Sequence, residues 1–293
     1  MMKIAVLSDI HGNLPALQTV TADIEAWQPD MVVVNGDVVN RGPCSLACVH
    51  FVQQKQAAQN WQVLSGNHET FVLSCGEVDA PPGTPSYAVA EFAYWTYDQL
   101  NGELGWLAGL PDAFSWLAPD GSEFRVRHAS MRSNREGLYA WDEAEVLREK
   151  MAPPPAVFVT GHTHRAFVRQ LADTLVVNAG AVGSPFDEDY RPGYGRFTWS
   201  AVQGWQAEVR RLPIDRAAIE RDYVTSGFLA EAGPLAQLML VELRRAGGLM
   251  FRWGERHFEQ IMAGEISVEE SVWDVLQDED VRPFTGPPGW VVP

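Results

Sequence analysis

Short apolar runs alternate along this chain with longer segments of mixed polarity, and five of the runs end in the same kind of residue. KIAVLSD (Lys3 to Asp9) leads into Asp9 and His11, MVVVNGD (Met31 to Asp37) into Asp37, and QVLSGNH (Gln62 to His68) into Asn67 and His68. FRVRHAS (Phe124 to Ser130) leads into His128, and AVFVTGHTH (Ala156 to His164) into His162 and His164. Their length and β-branched content predict strands. Between the first three lie helical patterns, Leu14 to Trp27 and Ser45 to Ala58, so the opening reads as a βαβαβ unit with a parallel sheet. In such sheets functional groups collect where the carboxyl ends of the strands open into loops. TLVVNAG (Thr174 to Gly180) and the run from Arg196 to Leu212 lack long crossover helices and are expected in a second, mixed sheet. The predicted fold is α/β (α+β): a four-layer α/β/β/α sandwich of two mixed sheets flanked by helices, over residues 1–212. His162 and His164 are one residue apart, so in an extended segment both side chains would point the same way.

From residue 213 to 293 the pattern turns helical and forms a C-terminal extension. One helix starts at Pro234 and ends at the Gly247, Gly248 pair, a second ends near Gly264, and a third opens with the capping box Ser267 to Glu270. The extension carries no chemical motif, and packing on the first domain or a homodimer interface is its expected role. The end, VRPFTGPPGWVVP, reads as extended and stiffened by proline. Between Ala80 and Asp112 a Pro/Gly loop precedes an aromatic stretch with Tyr87, Phe92, Tyr94, Trp95, Tyr97 and Trp106. This insertion predicts one or two helices with core aromatics, flanking the site.

Composition narrows the classes. No apolar run approaches the roughly 20 residues that a membrane helix needs, and the start reads as a strand without a cleavable signal pattern, so the expected location is cytoplasmic. Three cysteines, Cys44, Cys48 and Cys75, are too few for a disulfide framework and read as small buried or helical residues. A formal net charge of −16 repels polyanions, which argues against long nucleic acid and anionic membranes as partners while leaving small phosphorylated substrates open.

The strand-end residues carry the chemistry. Asp9, His11, Asp37, Asn67, His128, His162 and His164 offer more ligands than the three protein ligands of a catalytic zinc site. They suit two ions about 3.5 Å apart that share one carboxylate. Nitrogen and oxygen donors without thiolate favour Mn²⁺, the first expectation, or Fe, Zn²⁺, Ni²⁺, Co²⁺ or Mg²⁺. His50 and His257 lie outside the motifs and read as structural or exposed.

The ordered set DxH (Asp9, His11), GDxxxRG (Gly36, Asp37, Arg41, Gly42), GNHE (Gly66 to Glu69), His128 and GHTH (Gly161 to His164) resembles the calcineurin-like metallophosphoesterases. NAGAVGSP (Asn178 to Pro185) is similar to a sequel in small bacterial members. The resemblance implies that Asp9, His11 and His164 hold one metal and Asn67, His128 and His162 the other, with Asp37 bridging. It implies that His68 is the catalytic histidine, acting on the phosphoryl group or the leaving oxygen, and that Arg41 clamps substrate phosphate as in the protein-phosphatase branch. The implied reaction is hydrolysis of phosphomonoesters or phosphodiesters, including nucleotide-like ones, by a metal-bridging hydroxide attacking phosphorus directly. That branch has an aspartate where this chain has Asn40, and an amide orients His68 without stabilising its charged form as strongly. A serine/threonine protein phosphatase or dinucleoside polyphosphate hydrolase is therefore the alternative, and an inactive metal-binding scaffold is the outlying reading. Asn13 reads as orienting the site from behind, Glu69 as supporting the local fold, and Arg132 or Arg135 as possible phosphate contacts.

Overall fold

The apolar runs become strands whose two faces bury different cores. A computed structural model describes residues 1–286. The first stretch follows the expected alternation: β1 (Met2–Leu7), α1 (Leu14–Trp27), β2 (Met31–Asn35), α2 (Ser45–Gln59) and β3 (Gln62–Leu64). Asn13 starts α1 because its side chain accepts the Ala16 N–H, with Pro15 in the first turn. Helix α3 (Asn67–Ser74) follows β3 directly, and the insertion then supplies α4 (Pro85–Ala88), α5 (Glu91–Gln99) and α6 (Leu104–Ala108). The second half brings β4 (Ala113–Leu117), β5 (Glu123–Arg127), α7 (Ala144–Lys150), β6 (Val157–Thr160), β7 (Phe167–Gln170) and β8 (Leu175–Asn178), then the hairpin β9 (Gly193–Ser200) and β10 (Gly204–Arg211).

Two mixed five-stranded sheets result, in the orders β10-β9-β1-β2-β3 and β4-β5-β6-β8-β7. Within β1, Ile4 and Val6 face the other sheet and meet Phe124, Val126, Val157 and Val159, whereas Ala5 and Leu7 face α1 and α2. On the far side, Phe158 and Val176 pack with Leu147 of α7. The layers are therefore helix, sheet, sheet, helix, as the sequence predicts.

One placement differs from expectation. The run from Arg196 to Leu212 does not join the second sheet; β9 runs antiparallel beside β1, with Lys3 opposite Thr198 and Ala5 opposite Arg196. After the parallel β1-β2-β3 unit forms, β1 still presents an open edge, and the hairpin covers it.

Helices α8 (Arg216–Thr225), α9 (Phe228–Glu231), α10 (Leu235–Arg245), α11 (Met250–Met262) and α12 (Val268–Leu276) complete the described chain. Ser267 and Glu270 form the predicted capping box of α12. The helices do not bury their apolar faces alone: Leu238, Met239, Trp253 and Val272 share a core with Phe92 and Ala93 of the insertion. Arg282–Phe284 forms a 3₁₀ turn, and the remainder of the predicted extended end, from residue 287, lies outside the described residues. Among the described residues no helix is long and apolar enough to cross a membrane.

Candidate metal centre

The carboxyl ends of β1, β2, β3, β5 and β6 open toward one point between the sheets, and the predicted residues meet there. Asp9, His11, Asp37 and His164 form one group of closely spaced donors, and Asp37, His128 and His162 form a second. Asp37 belongs to both. The Oδ1 of Asn67 lies 2.7 Å from His162 Nδ1 and 3.0 Å from His128 Nε2, which puts it with the second group.

The local geometry differs from the extended segment expected for His162 and His164. Both lie beyond the end of β6 with left-handed backbone, φ 63° and 56°, as do Asp9 (57°), His11 (48°) and Asp37 (54°). Such residues persist only where the surroundings over-determine them. Here the loops are laced together: Asp9 N–H donates to Gly36 O at 3.2 Å, His11 N–H to Asp37 O at 2.9 Å, and Gly12 N–H to Val38 O at 3.0 Å. The side chains therefore aim into the site from turns, and His162 and His164 face different groups. Gly66 is required by close approach, since a Cβ there would sit 2.2 Å from Asp37 Oδ1.

Hydrogen bonds settle which ring nitrogens are free. The Nδ1 atoms of His11, His128 and His164 face the carbonyls of Val39 (3.3 Å), Asn35 (2.9 Å) and Ser184 (2.6 Å). A carbonyl only accepts, so each Nδ1 carries the hydrogen and Nε2 turns inward, as a bare lone pair wherever the ring is neutral. His162 is the reverse: its Nε2 donates to Arg135 O at 3.0 Å, leaving a bare Nδ1 toward Asn67. His11 Nε2 and His164 Nε2 then confront each other at 3.1 Å, and His164 Nε2 lies 3.3 Å from Asp9 Oδ1. Lone pairs facing lone pairs and carboxylates, buried except for the partly buried Asn67 and His162, form an electron-rich cage that repels itself unless a cation enters. The donor set, imidazole nitrogen with carboxylate and amide oxygen, fits borderline or hard divalent ions.

Protonation follows the same logic. Burial holds His11 well below the usual imidazole value and brings His162 down to about 4, so both stay neutral. Burial also opposes charge on His128, yet the adjacent Asp37 carboxylate overrides it and raises the ring to about 10. The excess negative charge at Asp37 thus demands a positive partner, which a proton or a metal ion can supply. Glu69 is fully buried and rises to about 7 through burial and the nearby Asp37. Its carboxyl accepts the N–H groups of Gly66 (2.7 Å), Asp37 (2.8 Å) and Val38 (2.7 Å), so it holds the β2 and β3 loops together.

His68 stands beside this cage. Its N–H donates to Asp37 Oδ1 at 2.8 Å, and its ring meets that of His11 edge-on at 4.9 Å. Asn40 Nδ2 donates to His68 Nδ1 at 3.0 Å, while Asn40 Oδ1 accepts the Arg41 N–H at 2.9 Å. Burial keeps His68 neutral, down to about 3, so its hydrogen sits on Nε2. Arg41 is mostly buried and its Nη2 donates to the carboxylate of Glu242 in α10.

Other expectations resolve as follows. Asn13 Nδ2 donates to Gly183 O at 2.9 Å, tying the first loop to the NAGAVG turn. Arg132 pairs with Glu136. His50 is exposed beside Glu103, and His257 packs against Asp274. Cys48 is buried, Cys44 precedes α2, and neither joins a donor group among the described residues. Sequence reading did not single out Glu242 or Phe186, whose ring stacks on His164 at 4.3 Å. Glu242 had one signal, an acid directly after the apolar run Leu238 to Val241.

Known proteins resemble this chain in sequence and fold. The chain is 26% identical over 170 residues to the symmetrical bis(5'-nucleosyl)-tetraphosphatase of Actinobacillus succinogenes, a match over 57% of this chain and 56% of that relative. The structure of a metallophosphoesterase from Sphaerobacter thermophilus superposes with a TM-score of 0.64 at 25% identity, covering 84% of this chain and 99% of the other. A hypothetical protein of Pyrococcus horikoshii has the same fold, with a TM-score of 0.67 at 17% identity over 80% of this chain and 98% of its own. The calcineurin-like phosphoesterase family model matches residues 2–166, more than half of the chain and every loop of the cage, and the chain belongs to that family.

Proposed function

We propose that the chain hydrolyses small phosphoesters with two divalent ions, held by Asp9, His11, Asp37 and His164 on one side and by Asp37, Asn67, His128 and His162 on the other. The observation that carries this reading is the sharing of Asp37 between two groups of closely spaced donors. Such ions supply positive charge to phosphoryl oxygens and a nucleophile from water near neutral pH. The protein's own groups do the remainder. Asp37 holds both sides at a fixed spacing while its Oδ1 anchors the His68 backbone. His68, neutral and steered by Asn40, presents an Nε2–H that donates to the phosphoryl group or to the departing oxygen. Arg41 supplies a guanidinium fork for phosphate oxygens. Mn²⁺ is the ion proposed first, by donor type.

The test is hydrolysis of a chromogenic phosphomonoester and the matching phosphodiester by protein stripped of metal and refilled with Mn²⁺, Ni²⁺, Zn²⁺ or Mg²⁺. Restored turnover supports the reading, and the monoester to diester ratio ranks the substrate classes. Replacing Asp37 with Asn should lower turnover at least a hundredfold and reduce bound metal; unchanged turnover at full metal content would refute the assignment. Dinucleoside polyphosphate hydrolysis is the second reading, favoured by the tetraphosphatase relative, and a dinucleoside tetraphosphate in the same assay tests it. A protein phosphatase role is disfavoured because Asn40 replaces the aspartate behind the catalytic histidine.

A further inference from the structure

Arg41 is the one proposed substrate contact whose side chain is held by the C-terminal extension. Its guanidinium pairs with Glu242, which is 1% exposed at the heart of α10. The second oxygen of Glu242 accepts the N–H groups of Leu249 and of Met250, the latter at 2.8 Å, where α11 begins. From the same extension, the Tyr223 hydroxyl of α8 donates to Arg41 O at 3.3 Å. Beneath the guanidinium lies the ring of Phe186, 5.6 Å from Cζ, and that ring also stacks on His164. The charge of Arg41 is felt at the centre, where it helps to depress His11 and His68.

An arginine has five N–H donors, and a carboxylate that occupies one edge leaves the others for a second anion. Glu242 is locked on its far side by two backbone N–H groups, so it is a fixed peg. A flexible arginine would lose rotamer freedom on binding phosphate, and a pre-held one would not.

We propose that Glu242 is a positioning residue: it holds Arg41 in the direction that meets substrate phosphate, so the C-terminal helices complete the phosphate site. This rests on the phosphoesterase reading above. The competing account is a buried ion pair that only fastens the extension.

Four variants separate the two accounts: Glu242→Gln, Glu242→Asp, Arg41→Ala and the double variant of Glu242→Gln with Arg41→Ala, each reloaded with metal and checked for metal content and thermal stability. In Glu242→Gln the amide oxygen can still accept the N–H groups of Leu249 and Met250, while the grip on Arg41 is lost. In Glu242→Asp the pairing charge survives on a shorter arm, which serves if the amide variant folds poorly. The readouts are the Kd of inorganic phosphate by calorimetry and the separate kcat and KM for a phosphomonoester. Glu242→Gln and Glu242→Asp should each weaken phosphate and raise KM about tenfold, with kcat within about threefold, and Glu242→Gln should add nothing in the Arg41→Ala background. Loss of thermal stability with phosphate affinity and KM unchanged would overturn the proposal, as would tighter phosphate binding. Wild-type protein that binds phosphate but turns over no ester refutes the phosphoesterase reading alone, because phosphate affinity still reads the role of Glu242. Metal-loaded wild type that binds no phosphate overturns the positioning role.

Discussion

At the scale of single residues, the centre works by assigning each hydrogen. Three backbone carbonyls choose the tautomers of His11, His128 and His164, and the carbonyl of Arg135 chooses the opposite one for His162. Asn40 does the same for His68 through its amide hydrogen. Its removal should let the His68 ring turn and move its proton between the two nitrogens. Asn40→Ala is therefore expected to lower kcat between about tenfold and a hundredfold at unchanged metal content, as read by steady-state kinetics beside elemental analysis. A change below twofold would mean that Asn40 only fills space. The motif residues were legible in the sequence because each sits at the end of an apolar run. Their aim was not, since His162 and His164 reach the site from left-handed turns, a conformation that hydrogen bonds from distant loops impose.

At the scale of elements, boundaries followed local chemistry. Asn13 and Pro15 start α1, and Ser267 with Glu270 starts α12, as their residue types dictate. The extension is further pinned by ion pairs between α11 and the turn that follows α12. Arg252 donates to Asp280, and that hydrogen bond holds the Asp280 carboxyl down at about 2. A carboxyl depressed in the folded state contributes stability above its unfolded value, near 4, and loses that contribution as the pH falls through about 2. Wild type should thus be more stable than Asp280→Asn at pH 6, by less than about 1 kcal/mol because the pair is half exposed. Most of the difference should be gone at about pH 2 in denaturation curves of the two proteins, and a gap that keeps its pH 6 size there would exclude the ion pair as its source.

At the scale of the whole molecule, the cage exists because two sheets stack with their strand ends together. Asp9, His11, Asp37 and Asn67 come from the first sheet's loops, and His128, His162 and His164 from the second's. Holding so many lone pairs and carboxylates in a buried space opposes folding until a cation binds. A divalent ion at about 1,000 times its dissociation constant should accordingly stabilise the fold by about 4 kcal/mol. Stripping with chelator should lower the melting temperature, and readdition of Mn²⁺ should restore it. A melting curve indifferent to chelator, in protein shown to have carried metal, would place the ions elsewhere.

The sequence by itself determined the alternation of strand and helix, the sandwich of two mixed sheets, and which acids, amide and imidazoles stand at the strand ends. These depend on periodicity, capping and residue type, all local properties. Tertiary structure alone decided three things. The β9-β10 hairpin joined the first sheet because β1 had an open edge, a fact that exists only after β1, β2 and β3 assemble. The aim of the histidines came from carbonyls tens of residues away. The pairing of Arg41 with Glu242 spans 201 positions of sequence and depends on how α10 packs against the insertion, so no pattern near either residue names the other as its partner.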